Sequence, residues 1–253
     1  MGRPKRRTFG VFAFHNSVLI EDAPGSIEAN ELLMDLGGEP PMVRPGKPKS
    51  GRVDYHVAKR ILDLVFSLAM IVVLSPVVLV FAIMVKISSA GSVFFRQERV
   101  GRYGEVFVLL KFRTMLEGAD ESYHREHYEQ RANGDPREML ISEDPRVTRV
   151  GAFLRRWSGD EIPNLWNVVK GDMSLVGPRP LVPYELVLFR PEQLRRLEVL
   201  PGITGLAQVE GRLNISMDQR SDHDLEYVDR HSFLYDLVLL ARTVPALLTR
   251  HGA

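Results

Sequence analysis

Residues 61–85 read ILDLVFSLAMIVVLSPVVLVFAIMV. Asp63 is the only charge in this run, and the twenty-two residues after it carry none. A stretch of about 18 or more apolar residues with almost no charge has the length and composition of a membrane segment. A secretory signal does not fit, because the run begins at residue 61 and no small-residue cleavage site follows closely. Both flanks are basic, with Lys59 and Arg60 before the run and Lys86, Arg96, Arg99 and Arg102 after it. The positive-inside rule places each flank in the cytoplasm. A straight span cannot satisfy that, whereas a re-entrant hairpin can. Ser75-Pro76 lies inside the run, and a proline there deletes a backbone hydrogen bond and kinks or breaks the helix. The arms 61–75 and 77–85 measure about 22 and about 14 Å, each short of a hydrocarbon core of about 30 Å. A kinked single-pass helix is the alternative, since proline is tolerated in such helices. Asp63 reads as a partner for Arg60 or a helix cap rather than a catalytic group.

Outward from this segment the chain divides into three parts. Residues 1–52 hold six Pro and seven Gly. They form an arm with a basic start (MGRPKRR), a strand-like TFGVFAFHNSVLI, a helix-like SIEANELLMDL and a linker, PPMVRPGKPKSG, at 40–51. Residues 58–86 are the membrane helix, with its break expected at Ser75 and Pro76. Residues 87–253 read as a mixed, helix-rich α/β domain. VFFRQERVG and GEVFVLLKFRTM suit a β-hairpin, and 117–140 suits an exposed charged helix or loop. VTRVGAFLRRW and EIPNLWNVVKG have helical periodicity, the second ending at Gly171. LVPYELVLFRPEQLRRLEVL and FLYDLVLLARTVPALLTR are each either amphipathic helices lying in the bilayer surface or lids over the domain core.

Composition narrows the function. With 33 Lys+Arg against 32 Asp+Glu, the formal charge is +1, which argues against a nucleic-acid partner. The absence of Cys excludes thiol chemistry, disulfides and Cys-ligated zinc, and suits a cytoplasm-facing protein.

The chemistry concentrates in 155–180, RRWSGDEIPNLWNVVKGDMSLVGPRP. Pro163 must lie in the first turn of any helix there, which makes Asp160 an N-cap candidate. The capping explanation leaves Glu161 unexplained. An acidic pair beside a helix start, with Arg155 and Arg156 just upstream, suits a divalent cation held against a diphosphate. Pro178 and Pro180 stiffen a loop that presents the Arg179 fork, suited to phosphate oxygens. Lys111 and Arg113 add two cations after an apolar strand. Pro201–Gly205 is a turn-rich loop. Asp224 and Glu226 read as a solvated acidic face.

In combination, KRILDLVFS…SPVVLV, VFFRQERVG, LKFRTM, SGDEIPNLWNVVKGDMSLVGPRPL and LPGITGLAQVEGR resemble the bacterial sugar transferases, the monotopic polyprenyl-phosphate phosphoglycosyl transferases. The resemblance covers roughly 58–250 and leaves residues 1–52 outside. Larger members carry several transmembrane helices and a further domain ahead of this core, so this chain is expected to be a minimal catalytic form.

The resemblance implies transfer of a sugar 1-phosphate from a UDP-sugar to undecaprenyl phosphate with release of UMP, at the cytoplasmic face of the inner membrane, as the first step of exopolysaccharide or O-antigen assembly. It implies a re-entrant membrane helix, Mg2+ as cofactor, and a covalent intermediate on Asp160, with Glu161 as metal ligand or positioning carboxylate. Asp160 is also a metal-ligand candidate. Lys111, Arg113, Arg155 and Arg179 fall at the family's basic positions, and Asp224 at the acidic position of its D-x-x-Y-V stretch. Two departures stand out: Gly159 where the family usually has Leu, and LNISMDQRSDHD after Arg212, where a Trp and a Lys are common. A non-catalytic membrane-anchored scaffold for nucleotide-sugars and a nucleotide-sugar hydrolase are the competing readings. A homo-oligomer is compatible with the amphipathic helices.

Overall fold

The computed structural model describes residues 52–118, 144–210 and 215–248. The N-terminal arm, most of the charged 117–140 stretch and the first two residues of the LNISMDQRSDHD departure, 213 and 214, lie outside the described residues. The mixed, helix-rich α/β class holds. Helix α1 (Arg52–Ser88) is followed by the hairpin β1 (Phe94–Val100) and β2 (Val106–Phe112), then α2 (Arg149–Arg156) and α3 (Asn164–Lys170). Strand β3 (Ser174–Val176) pairs in parallel with β4 (Gly202–Thr204). Short α4 (Leu206–Glu210), α5 (Met217–Arg230) and α6 (Phe233–Leu248) complete the order.

Helix α1 has 37 residues and runs without interruption through Pro76, about 55 Å at helical rise. The break expected at Ser75-Pro76 is therefore not a gap in the helix. Pro76 has no N–H for the carbonyl of Val72, one helical step of four residues back. The Ser75 hydroxyl donates to that same carbonyl at 2.8 Å and so replaces the missing donor. This is the one helix among the described residues long and apolar enough to cross a membrane.

One stripe of α1 faces the domain from Lys59 to Val85. Lys59, Asp63 and Ser67 are buried, Met70, Ile71 and Leu74 pack on the main core, and Val78, Phe81, Ala82 and Val85 join a second cluster with Phe112 and Leu154. The spacing of three or four residues persists on both sides of Pro76, so the proline causes no slip of the stripe. The opposite face, including Ile61, Val65, Val72, Leu79 and Ile83, is apolar and exposed. Asp63 neither pairs with Arg60 nor caps the helix. Its Oδ1 accepts from Ser174 Oγ at 3.1 Å and Leu175 N at 3.0 Å. Arg60 instead donates to the carbonyls of Val168 and Val169, at the C-terminal end of α3 where a cation is favoured. Lys59 lies 2.8 Å from Asp236 of α6 and donates to Val176 O.

The hairpin is antiparallel, with Arg99 opposite Phe107, Gln97 opposite Leu109 and Phe95 opposite Lys111. Helix α3 stops at Gly171, which takes φ +97° as the residue after the helix; glycine adopts this left-handed conformation without penalty. Asn167 ties α3 to β2 by donating to Val108 O at 2.7 Å and accepting from Leu110 N at 3.1 Å. Residues 181–200 are a core lid rather than a bilayer-surface helix. They form two short 3-10 helices, Pro183–Leu188 and Gln193–Glu198, separated by Pro191. Leu181, Leu186, Phe189, Leu194 and Leu197 of this segment form a buried cluster with Val100 of β1. Helix α6 buries Asp236 and Leu239 but leaves Phe233, Leu234, Leu237, Val238 and Val244 exposed, an amphipathic arrangement that continues through Pro245.

Candidate active site

Asp160 and Glu161 lie in a single 3-10 turn, Gly159–Glu161, between α2 and α3. Ser158 enters it at φ 54°. The expectation that Asp160 is a helix N-cap is corrected: Pro163 holds that position for α3, with no side-chain cap. A capping side chain accepts from the second or third helical N–H. Counted from Asp160, the third is Pro163, which has none, and the second, Ile162 N, already donates to Gly159 O. The Asp160 carboxylate is therefore left available for something other than capping.

Gly159 also acquires an explanation. A Cβ there would lie 2.8 Å from Cε2 of Phe81. The ring of a membrane-helix residue thus fills the space behind the turn, and itself meets Phe112 edge-on at 6.0 Å. The departure from Leu is matched by packing rather than by a void.

Three segments bring charge to the turn. Lys111 Nζ of β2 sits 2.7 Å from Glu161 Oε1, and Arg179 Nη1, from the loop after β3, lies 3.3 Å from the same oxygen. Burial alone would push the Glu161 carboxyl up, but Lys111 and Arg179 outweigh it and hold the group well below the usual carboxylate range. Lys111 is pushed down by burial, with Glu161 opposing. Asp160 behaves in the opposite way to its neighbour. Burial raises its carboxyl, against the pull of Lys111 and with Glu161 adding to the rise. Arg155 contributes its charge to Asp160 while its Nε donates to Thr114 Oγ1 at 2.8 Å. Two adjacent carboxylates thus lie in opposed environments, one locked into an ion-pair cluster and one held higher. Opposed environments are a common mark of carboxylates with separate roles.

Arg113 and Asp224 are not brought to the dyad. Arg113 is buried, and its Nη2 donates to Ser89 O and Oγ just past the end of α1. Asp224 is buried rather than on a solvated face. It forms an ion pair at 2.8 Å with Arg196, which donates to Arg179 O, also at 2.8 Å. Asp224 therefore reaches the site only through the backbone of the Arg179 loop. Burial raises its carboxyl against the pull of Arg196.

Sequence reasoning missed Arg99, Arg196 and Asn164. Arg99 shares a hairpin face with Lys111 by the register above. It donates to Pro180 O at 3.1 Å, fixing the Arg179 loop from the other side, and lines a cleft with Lys111, Glu161, Asn164 and Arg179. A period-two reading of VFFRQERVG would have found it. Arg196 had no local signal, because its partners are far away in sequence.

The Arg179 loop is also held by backbone contact. A Cβ on Gly202 would lie 2.1 Å from Gly177 N, so the β3 and β4 loops approach as only glycines allow. Among the described residues no group of three or more His, Cys, Asp or Glu is placed to hold a metal ion. The donor set at the dyad is two adjacent carboxylates. That fits magnesium, which takes one or two carboxylates and completes its shell with substrate oxygens.

The fold and site together are a helix-rich α/β domain with one long apolar helix and an acidic pair beside a cleft lined by Arg99, Lys111 and Arg179. The bacterial sugar transferase family model matches residues 54–250, and the chain belongs to that family; it is a transferase. It is 41% identical over 202 residues to the exopolysaccharide production protein ExoY of Rhizobium meliloti, covering 78% of this chain and 88% of the relative. It is 38% identical over 244 residues to the UDP-glucose:undecaprenyl-phosphate glucose-1-phosphate transferase of Caulobacter vibrioides, covering 92% of this chain and 85% of the relative. That coverage exceeds what residues 54–250 supply, so the likeness to this relative extends into the N-terminal arm. The undecaprenyl-phosphate galactose phosphotransferase of Salmonella typhimurium is 38% identical over 203 residues, with 41% of its length covered.

Proposed function

We propose that this enzyme transfers a sugar 1-phosphate from a UDP-sugar to undecaprenyl phosphate at a membrane surface, with Asp160 as nucleophile. The observation that carries the reading is the split dyad: Glu161 is held by Lys111 and Arg179, while Asp160 makes no hydrogen bond or ion pair with any described residue. The relatives' names supply the substrate class.

In the first half-reaction an Asp160 oxygen attacks the β-phosphorus. The bond from that phosphorus to the oxygen bridging the two phosphates breaks, and UMP leaves with the electron pair. In the second, an oxygen of undecaprenyl phosphate attacks the same phosphorus and the Asp160 carboxylate departs. A carboxylate approaching a diphosphate meets like-charge repulsion, which Lys111, Arg155 and Arg179 reduce in a partly dehydrated site. Mg2+ bound by Asp160 or Glu161 would supply further charge neutralisation at the phosphates. Glu161 holds Lys111 and Arg179 in place, and Arg99 and Arg196 hold the Arg179 loop from its two sides.

The topology reading is that α1 enters and leaves the same leaflet. Its support is the continuous stripe described above: Lys59 near one end and Val85 near the other both pack on the same domain. A helix that keeps contact with one domain from Lys59 to Val85 favours this reading over a full span of a core of about 30 Å.

Intact-protein mass spectrometry after incubation with magnesium and a panel of UDP-sugars, without lipid acceptor, tests the mechanism. The expected result is a gain of one sugar phosphate in the wild type and none in D160N. UMP release that occurs only with undecaprenyl phosphate and without any adduct would refute the covalent step. UMP release with water as sole acceptor would favour a hydrolase.

A further inference from the structure

Asn164 is the first residue of α3, one turn beyond Asp160. The residue is 3% exposed and lines the cleft beside Lys111, Glu161, Arg99 and Arg179. Its carboxamide oxygen is buried and has no hydrogen-bond partner. Such atoms are uncommon in folded proteins, and each asks for an explanation. The nearby cations are already committed: Lys111 and Arg179 to Glu161, and Arg99 to Pro180 O and Gln97. A donor to this oxygen is then supplied by a bound molecule, water in the empty cleft and a substrate group in the loaded one.

The chemistry of that donor is restricted. The Asn164 oxygen is an acceptor, so a phosphate oxygen without a proton cannot satisfy it. The hydroxyls of the sugars and the imide N–H of uracil can. Geometry separates these two sources. In an in-line displacement the attacking and leaving oxygens lie on opposite sides of phosphorus. Groups beside the nucleophile therefore face the substituents that stay on phosphorus, and UMP lies on the far side. Asn164 follows Asp160 by four residues, at the start of the helix that the dyad turn leads into, which groups it with the nucleophile. Resting on the reading that Asp160 attacks the sugar-bearing phosphorus, we infer that Asn164 is a specificity-determining residue whose carboxamide oxygen accepts a hydrogen bond from a hydroxyl of the transferred sugar. A site built to hydrogen-bond a substrate hydroxyl discriminates strongly against the analogue that lacks it.

The test compares full-length wild type and N164L in nanodiscs with undecaprenyl phosphate. The best UDP-sugar is set against its singly deoxygenated analogues, and UMP release gives kcat/KM. UMP product inhibition and apo thermal stability are measured in parallel. In the wild type one deoxy analogue is expected to fall about 10- to 100-fold below its parent. N164L should lose a similar factor on the parent sugar and no longer distinguish the two. Its UMP inhibition constant should be unchanged, and its apo stability equal or higher, since an unpartnered buried oxygen is gone. Equal discrimination in both proteins would overturn the inference, as would a matching loss of UMP affinity, which would move the contact to the nucleobase. If N164L does not fold, N164S is read by the same deoxy ratio. A wild type that turns over no UDP-sugar would sink the proposed function and this inference together; turnover with unaltered discrimination in N164L would sink only the inference.

Discussion

Replacing Lys111 by Met keeps the length of the side chain and removes its charge. At 2.7 Å and an effective dielectric of about 20, the attraction to Glu161 is about 6 kcal/mol before desolvation. Burial of both groups cancels much of that, since the side chains are only 14% and 22% exposed and burial pushes Lys111 itself down; with Arg179 still on Glu161, a net loss of about 3 kcal/mol, the low end for breaking a buried pair, remains. The sign with pH is fixed by the depressed Glu161 carboxyl. Its contribution is present above the ordinary glutamate range, and the wild type gives it up only as the pH falls through the low folded value. Without Lys111 the burial effect regains ground and Glu161 takes up a proton at higher pH. The stability gap between K111M and wild type should therefore be widest near neutrality and narrow as the pH falls below about 4. Catalysis should suffer more than stability. Loss of one charge-stabilising group aimed at the phosphates costs about 100- to 1,000-fold in rate, and the acid limb of the pH–rate profile should move toward neutrality. UMP release measured from pH 5 to pH 9, alongside urea unfolding at matched pH, reads both effects. A K111M protein within threefold of wild-type kcat/KM with an unmoved acid limb would refute the assignment of Lys111 to the reacting phosphates.

Three other outcomes can be measured. D160N should abolish turnover yet be slightly more stable than wild type at pH 7, because burial raises this carboxyl and penalises its charged form; the gain should vanish in acid, and a destabilised D160N by urea unfolding would contradict it. S75A removes the donor to Val72 O and should weaken that part of α1 by about 1 kcal/mol, seen as faster amide exchange over 72–80 in nanodiscs; unchanged exchange would show that the hydroxyl is dispensable. The chain has no native cysteine, so single cysteines at Val57 and Ser89 report topology directly. Both should label from the cytoplasmic side in inverted vesicles, and labelling from opposite sides would establish a full span.

The hairpin and the end of α3 at Gly171 were legible because local chemistry determines them: alternation, turn residues and a glycine stop. The dyad and its cations were legible as a set of residue types, through the ordered motifs. Three features were not. The Asp160 cap failed because Pro163 removes the N–H the cap needs, a consequence that appears only once the turn is counted residue by residue. The 181–200 lid was ambiguous because an apolar face suits lipid and core alike, and only the partners Val100 and Met217 decide. Asp63 and Asp224 were misread because their partners, at Ser174 and Arg196, are set by tertiary approach. An isolated acidic residue in sequence carries no sign of whether a distant cation or amide awaits it.

The contact of Phe81 with Gly159, together with those of Lys59 and Asp63 with β3, bears on how this enzyme can be handled. The hydrophobic helix is the rear wall of the reaction chamber: one ring backs the turn that carries the dyad, and two polar side chains grip the strand that leads into the Arg179 loop. Trimming the helix to obtain a water-soluble version would remove that wall and leave buried Asp236 without its Lys59 partner. Solubilisation has to come instead from recolouring the outward apolar face, at positions such as Ile61, Val65, Val72, Leu79 and Ile83, where substitutions touch lipid and not the domain.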